Sequence, residues 1–246
     1  GLGNYAEAMG DATMWTTLWH TILFTVMSTI PLVLLALVMA LLVYIGIPGQ
    51  WFWRLAFFAP YLLPVAVVVQ VWTWLFNSDV GFVNYWLQQL GLDAVGWLTD
   101  VDVAMWSIVI LTVWWTVGFN FLLYLSSLQA IPDLLYEAAE VDGAGFWRKL
   151  WSVTLPQLRG TTVLVVTLQV IASLKIFDQM FIAFSGGSGP EGSTRPILQY
   201  IYDTGFTNYR MGYASAMSYI FFAVIILVTV APRLIARTRK DTSNER

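Results

Sequence analysis

The segment "EAAEVDGAGFWRKLWSVTLP", residues 137–156, interrupts an otherwise strongly apolar chain. It lies between two long apolar runs, and the glycines at 143 and 145 break its helical pattern. Charge and glycine together are unfavourable inside a membrane helix. The segment therefore predicts a polar connection between membrane-spanning helices. Its charged residues are Glu137, Glu140, Asp142, Arg148 and Lys149.

The residues that precede it predict the start of a short helix. Pro132 and Asp133 suit a first helical turn, because proline needs no N–H partner there and an acidic side chain interacts favourably with the helix dipole. Leu134, Ala138 and Val141 then recur at helical spacing. This spacing predicts one apolar face along the helix.

Gly143 is expected to end this helix, and a second short helix, rich in aromatic residues, runs to Leu155 and Pro156. We call residues 131–156 the elbow. One interpretation is an amphipathic hairpin on the inner membrane surface, anchored by tryptophan and lysine. The other is a helix whose small alanines fit a groove on a soluble partner, with acidic residues at the rim. The residue pattern alone leaves both open.

Composition identifies an integral helical membrane protein. The 246 residues are 58% hydrophobic and 11% charged, and the mean hydropathy is +0.69. A helix needs about 20 apolar residues to cross the hydrocarbon core of a bilayer. We therefore predict an all-α fold, a polytopic transmembrane helical bundle that forms a single domain over 1–246. The five predicted spans are 16–44, 53–76, 103–128, 161–184 and 213–236.

The distribution of lysine and arginine orients these spans. Nine basic residues lie in the C-terminal tail and in the connections 45–52, with the adjacent Arg54, and 129–160. The connections on the other side, 1–15, 77–102 and 185–212, carry only two. Because cytoplasmic loops carry the excess of basic residues, the elbow and the C-terminus are predicted to be cytoplasmic. Residue 1 then lies outside, and we expect another membrane helix upstream of it.

The chain offers no constellation for catalysis. It has no cysteine and one histidine, His20, for which packing is the expected role. It lacks a G-x-x-x-x-G-K-[ST] pattern, and the glycine-rich stretch 186–194 lacks the lysine of such a loop. We interpret that stretch as a flexible loop on the outer side. We expect neither a metal site, nor a nucleic-acid partner, nor enzyme activity in this chain.

The elbow resembles a family signature. "IPDLLYEAAEVDGAGFWRKLWSVTLPQL", residues 131–158, is similar to the cytoplasmic EAA signature of ATP-binding-cassette importer permeases, in which Glu-Ala-Ala, Asp-Gly-Ala and Leu-Pro follow in this order. Four further stretches, 1–25, 59–91, 174–202 and "YRMGYASAMSYIFF" at 209–222, resemble the carbohydrate branch, the maltose and glycerol-phosphate importer type. The resemblance implies the type I importer permease fold, with the family's first core helix missing from the five predicted spans.

The resemblance also implies a role for the elbow. In such permeases the EAA segment is the coupling helix, which docks into a cleft of the ATPase subunit. The residues expected to couple to the ATPase are Glu137, Ala138, Ala139, Asp142, Gly143, Ala144, Leu155 and Pro156. The chain itself would hold no cofactor, since the partner ATPase subunits would bind ATP and magnesium.

The implied protein is a permease subunit of a binding-protein-dependent sugar importer in the bacterial inner membrane. Its expected partners are a second permease subunit, a dimer of ATPase subunits, an extracytoplasmic solute-binding protein, the sugar and membrane lipid. Two other classes remain open: an ATP-independent transporter or channel, coupled for example to protons, and a membrane anchor for a signalling complex.

Polar and aromatic side chains inside the spans are candidates for the substrate path, because polar groups at this depth usually face a cavity or each other. Lys175 and Asp178 are three residues apart on the fourth predicted span, where an ion pair and direct solute contact are both open. A tryptophan near Asn120 would suit the apolar face and the hydroxyls of a sugar. Ordinary helix packing is the alternative for each residue. The candidates are Gln70, Trp114, Trp115, Asn120, Gln169, Ser173, Lys175, Asp178 and Ser218.

Overall fold

A computed structural model describes the backbone of residues 1–244 and the side chains of residues 1–229. Within these residues every regular element is a helix. The α-helices are α1 (Leu2–Gly10), α2 (Ala12–Ile45), α3 (Gln50–Phe58), α4 (Val65–Leu75), α5 (Phe82–Gln89), α6 (Val101–Gln129), α7 (Asp133–Val141), α8 (Phe146–Lys149), α9 (Leu155–Gln157), α10 (Arg159–Leu174), α11 (Asp178–Ala183), α12 (Ile197–Tyr202) and α13 (Met211–Asn244). Short 3-10 turns cover Ala59–Leu62 and Pro190–Gly192, and π turns cover Leu150–Thr154 and Asp203–Thr207.

Three described helices are long and apolar enough to cross a membrane: α2, α6 and α13 over Met211–Thr229. Two interrupted pairs, Gln50–Leu62 with Val65–Leu75 and Phe146–Gln157 with Arg159–Leu174, raise the number to five if each pair forms one span. The predicted spans 16–44 and 103–128 correspond to α2 and α6.

Prolines act differently in the first two predicted spans. α2 continues through Pro31 without a break. The predicted span 53–76 is instead interrupted, because Pro60 lies in the 3-10 turn after α3 and Pro64 lies between that turn and α4. Proline lacks the N–H that a continuous helix would use, so a helix commonly ends at a proline.

The prediction of one continuous helix over 161–184 is wrong. α10 ends at Leu174, and α11 starts only at Asp178. Phe177 between them has a non-helical backbone with φ −151° and ψ −62°. The acidic side chain of Asp178 falls in the first turn of α11, where it interacts favourably with the helix dipole. Lys175 and Asp178 therefore do not lie on one helix.

The fifth predicted span corresponds to α13, whose backbone continues to Asn244. The part of this span beyond residue 229 lies outside the residues whose side chains are described. The same holds for the basic tail that contributed to the predicted orientation, which consists of Arg233, Arg237, Arg239, Lys240 and Arg246.

The chain divides into two compact units. Unit 1 comprises Gly1–Met27, Val65–Val109 and Val170–Arg246, and unit 2 comprises Ser28–Pro64 and Ile110–Gln169. The core of unit 1 joins α1, the first half of α2, the end of α10, α12 and α13. Its buried members are Ala8, Met14, Leu18, Leu174, Ile197, Tyr213, Met217 and Phe221.

The core of unit 2 carries the elbow. Small residues on α2, Ala36 and Ala40, are fully buried and allow the close helix packing that membrane helices depend on. Gly118 on α6 lies against the backbone of α3, so that a Cβ built at this glycine would come 2.2 Å from the carbonyl oxygen of Phe57. The buried members of this core are Leu32, Ala36, Ala40, Val43, Val117, Phe121, Tyr124, Leu125, Leu128, Ile131, Leu158 and Val165.

Candidate coupling elbow and polar residues of the spans

The elbow contains the predicted pair of short helices with a glycine turn between them. α7 ends at Val141, after which the N–H of Gly143 donates to the carbonyl of Glu140 at 2.9 Å. The N–H of Ala144 donates to the carbonyl of Ala139 at 2.8 Å. These two bonds define a Schellman motif, in which the residue after the cap adopts a left-handed backbone. Gly143 has that backbone, with φ +73°.

The backbone, not the available space, requires glycine at position 143. A Cβ built on Gly143 would meet no atom of this chain within 4 Å. A residue with a side chain would nevertheless be strained, because only glycine adopts positive φ readily. The residues of the turn itself therefore determine its conformation, and no atom of this chain occupies the space beside Gly143.

The apolar face of α7 is exposed. Leu134 is 71% and Val141 is 89% solvent-accessible, and Ala138 between them is also exposed. The acidic side chains of Glu137 and Asp142 are exposed as well. Unit 2 therefore presents an apolar strip beside carboxylates, and no side chain of the described residues covers the two large members of that strip. Three residues of this surface, Glu137, Ala138 and Asp142, are among those that the resemblance assigned to coupling.

Other elbow residues attach it to unit 2. Ile131, which is 8% exposed, and Tyr136 pack against the core of unit 2, and Ala144 is 9% exposed. Within the elbow, the hydroxyls of Tyr136 and Thr154 lie 3.0 Å apart. Lys149 on α8 pairs with Glu140 on α7, with 2.5 Å between Nζ and Oε1. Of the remaining coupling residues predicted from the sequence, Ala139, Leu155 and Pro156 are half-buried. The elbow thus has an anchored inner side and an exposed outer side.

In unit 2 the structure brings two of the substrate-path candidates together. The side-chain amide of Asn120 on α6 donates to Oε1 of Gln169 on α10 at 2.9 Å, and the two residues are 1% and 7% exposed. Trp115 donates from its indole nitrogen to the carbonyl of Leu63 at 3.1 Å, whereas Trp114 is 42% exposed. Asn120 and Gln169 therefore pair across two helices, which is the packing role that polar side chains take inside membrane helices.

The remaining candidates lie in unit 1. Gln70, Lys175 and Asp178 are exposed, and no ion pair between Lys175 and Asp178 occurs among the described residues. Ser218 is exposed and donates to the carbonyl of Ala214 at 2.9 Å. Ser173 is buried at 3% exposure. The structure therefore does not support an ion pair between Lys175 and Asp178, and their contact with a solute stays a prediction.

A hydrogen-bonded cluster around the carboxylate of Asp11 in unit 1 was not expected from the sequence. Asp11 caps α2 by accepting from the N–H groups of Thr13 and Met14 at 2.9 and 3.4 Å. Its second oxygen accepts from the phenol hydroxyls of Tyr200 and Tyr213, each at 2.6 Å. An aspartate before a helix is a recognisable cap signal, but the two tyrosines are about 190 and 200 residues away in the sequence. The cluster joins the start of α2 to α12 and α13.

These hydrogen bonds determine the charge state of Asp11. Burial raises the pKa of its carboxyl, but the bonds from Tyr200, Tyr213 and the backbone outweigh burial and lower the pKa below the ordinary value of 3.8. Burial, and then the bond to Asp11, raise the pKa of Tyr200 to about 12. A lowered carboxyl pKa contributes stability that is present above the unfolded value and is lost as pH falls through the folded value.

We expect Asp11→Ala to destabilise the folded protein by about 1–2 kcal/mol, since hydrogen bonds to a charged group and a helix cap are both lost. Thermal unfolding of the detergent-purified protein at pH 7 measures this change. The difference from the parent should shrink as pH falls below the ordinary carboxyl value of 3.8. Asp93→Ala, at an exposed loop carboxylate, is the control and should leave the midpoint unchanged. A pH-independent difference would contradict the role assigned to the charge.

The glycine-rich stretch 186–194 is held by side chains. Gln199, which is 1% exposed, donates from its amide to the carbonyls of Gly186 and Gly187 at 3.1 and 2.9 Å. The hydroxyl of Thr194 donates to the carbonyl of Ser188 at 3.1 Å. Sequence reasoning missed Gln199, because nothing local indicates that its amide reaches back more than ten residues.

Comparison with known proteins supplies the family. The family model for the "binding-protein-dependent transport system inner membrane component" matches residues 14–241. The sulfoquinovosyl glycerol transport system permease protein SmoG of Agrobacterium fabrum is 33% identical over 239 residues, which cover 97% of this chain and 77% of that relative. The trehalose/maltose transport system permease protein MalF of Thermococcus litoralis is 31% identical over 241 residues, which cover 98% and 81% of the two chains.

Solved structures show the same fold. A bacterial ABC transporter that imports the acidic polysaccharide alginate aligns with a TM-score of 0.83 at 21% identity, covering 97% of this chain and 84% of that chain. The predicted all-helical permease fold and the resemblance to importer permeases are confirmed. In such importers separate ATPase subunits hydrolyse ATP, while the membrane chain is the permease. The chain therefore belongs to the family of inner membrane components of binding-protein-dependent transport systems.

Proposed function

We propose that the chain is a permease subunit of an ATP-driven carbohydrate importer and forms half of its translocation pathway. The relatives at 31–33% identity are permeases named for sulfoquinovosyl glycerol and trehalose or maltose. The observation that carries the proposal is the exposed strip of α7, where Leu134 and Val141 are 71% and 89% accessible. An apolar helix face beside exposed carboxylates suits a groove on a protein partner.

The elbow transmits the work of the ATPase. Its outer side, with Glu137, Ala138, Asp142 and Gly143, enters a cleft of the ATPase subunit on the cytoplasmic side. The excess of basic residues on this side of the sequence supports that orientation. The inner side, through Ile131 and Tyr136, which pack against the core of unit 2, passes the movement to α6 and α10. A pair of ATPase subunits binds ATP and magnesium, and this chain binds neither.

The proposal includes two further partners. A second permease subunit completes the pathway, and an extracytoplasmic solute-binding protein delivers the sugar at the outer side, where the ordered loop 186–194 faces it. The alginate importer has been crystallised with its substrate-loaded periplasmic protein, which supports a loading step of this kind. The membrane is the bacterial inner membrane.

Transport in membrane vesicles tests the proposal. Right-side-out vesicles are prepared from cells that produce the chain with its partner subunits, because the binding protein must reach the outer side. Uptake of radiolabelled trehalose, maltose and a glycerol phosphate is then measured with the binding protein added. Uptake of one of them should require ATP inside the vesicle and survive a protonophore. Uptake that collapses with the proton gradient and survives ATP depletion would identify a proton-coupled transporter instead. No uptake, with ATPase subunits absent from the purified complex, would favour a membrane anchor.

A further inference from the structure

Four aromatic side chains form a continuous row in unit 1. Phe177 and Phe181 are four residues apart at the start of α11, and Tyr202 and Phe206 are four residues apart at the end of α12 and in the π turn after it. The ring centroids are 5.1 Å apart for Phe177 and Phe181, 5.5 Å for Phe177 and Tyr202, and 5.3 Å for Tyr202 and Phe206. We call these four residues the aromatic lane.

One end of the aromatic lane is packed and the other end is exposed. A Cβ built on Gly186 would lie 3.5 Å from the ring of Phe181, so the glycine-rich stretch packs against that ring. Tyr202 and Phe206 are instead 41% and 60% exposed, whereas Phe221 in the core of unit 1 is 3% exposed. The lane therefore presents ring surface that the core of unit 1 does not use.

Polar side chains lie at both ends of the row. Lys175 and Asp178, one on each side of the first ring in the sequence, are exposed and form no ion pair with each other among the described residues. The last ring, Phe206, is followed by Thr207 and Asn208, which are exposed and precede α13. Charged side chains of membrane proteins usually face a water-filled cavity or each other. The polar ends therefore favour an aqueous setting for the lane over contact with lipid tails.

This combination of groups suits a pyranose ring. Aromatic faces contact the apolar face of such a ring, while a few polar groups orient its hydroxyls. The phenol of Tyr202 and the two charged side chains at the break between α10 and α11 can supply those polar groups. Glycerol phosphate offers no ring face, and its phosphate would instead be bound by several positive or N–H donors.

We propose that the aromatic lane binds the pyranose rings of the transported sugar at the side of unit 1 predicted to face outward. The inference rests on the proposed sugar import and adds the class of substrate, which is a pyranoside rather than an open-chain polyol or a glycerol phosphate. Neighbouring rings about 5 Å apart let a sugar keep one aromatic contact while it forms the next.

Protection of a single thiol by sugar tests the lane, because the chain has no cysteine of its own. Phe206→Cys is produced with the partner subunits in right-side-out vesicles, and labelling of this chain by a charged, membrane-impermeant thiol reagent is measured without binding protein. Trehalose or maltose should slow the labelling at least about threefold, since a bound ligand excludes solvent from the groups that it covers. Mannitol and glycerol 3-phosphate should leave it unchanged.

Tyr209→Cys is the matched control, because Tyr209 is 85% exposed but lies outside the row. Its labelling should be the same with and without sugar. In the Phe206→Cys background, Tyr202→Leu removes one ring face and should raise the sugar concentration for half-maximal protection about fivefold. Tyr219→Leu, at a ring on α13 that is 65% exposed, should not change that concentration.

The outcomes separate the lane from sugar import. If the parent imports trehalose or maltose but neither sugar protects the thiol at 206, the lane is overturned and import stands. Uptake of glycerol phosphate alone would overturn the substrate class, and no uptake of any solute by the parent would refute both import and the lane. A thiol at 206 that the reagent cannot reach would show that lipid or another subunit covers the rings, which would also overturn the proposal.

Discussion

Gly143→Asp is expected to leave the protein folded in the membrane while lowering ATP-driven uptake at least about tenfold. Gly143 has φ +73°, and a Cβ at this position meets no atom of the chain within 4 Å. The backbone strain of about 1 kcal/mol is therefore the whole intramolecular effect of a substitution. A carboxylate at this exposed turn acts mainly on whatever docks there, and an unpaired charge buried at an interface costs more than the free energy of a tenfold change in affinity.

Gly143→Ala provides the matched control, because it carries the same backbone strain without the charge. Glu137→Lys provides the second arm, since it reverses an exposed charge on α7 without touching the turn. Uptake, co-purification of the ATPase subunits and their ATP hydrolysis are measured for all three variants. If the elbow docks on the ATPase, uptake by the Gly143→Asp and Glu137→Lys variants must be well below uptake by the Gly143→Ala variant. Normal uptake by both charged variants would refute it.

Gly118→Ala is expected to destabilise the fold by about 3 kcal/mol or more, which would lower the yield of protein in the membrane. The added Cβ would lie 2.2 Å from the carbonyl oxygen of Phe57 and 2.8 Å from the Cα of Phe58. Both atoms belong to the backbone, so the clash cannot be relieved by rotating a side chain. α3 and α6 would have to separate.

Gly160→Ala is the control for this experiment. Gly160 also lies in a helix, α10, but its added Cβ would meet nothing within 4 Å. Alanine should there be neutral or stabilising by up to about 1 kcal/mol, because it is the better helix former. Thermal unfolding in detergent, followed by the loss of the monodisperse peak, separates the two variants. Equal midpoints for Gly118→Ala and the parent would show that α3 and α6 are not in this close contact.

These two glycines show what could be predicted from the sequence. The turn at Gly143 was predictable, because a Schellman motif depends on residues within six positions of each other. The close approach at Gly118 was not, since Phe57 lies about 60 residues earlier in the chain. The same holds for Asn120 and Gln169: the cost of a polar group in the membrane indicated that each needs a partner, but not that they pair with each other.

The error over 161–184 has a related cause. The sequence stays apolar at Ile176 and Phe177, so a hydropathy average over a window of residues does not detect the end of α10 at Leu174. The acidic residue at 178 was a signal for a new helix start, but we considered it only as an ion-pair partner of Lys175 or as a solute contact. Family resemblance predicted a docking role for the elbow, whereas periodicity could not distinguish a helix on a lipid surface from one in a protein groove.

The interruption between α10 and α11 leaves backbone polar groups that need hydration. The last carbonyls of one helix and the first N–H groups of the next have no intrahelical partners. Oily hydrocarbon cannot solvate such groups, so a break at membrane depth persists only where protein or water surrounds it. Lys175 and Asp178, both exposed at this break, are best accommodated by hydration. In the assembled membrane this part of unit 1 should therefore border an aqueous space rather than lipid tails.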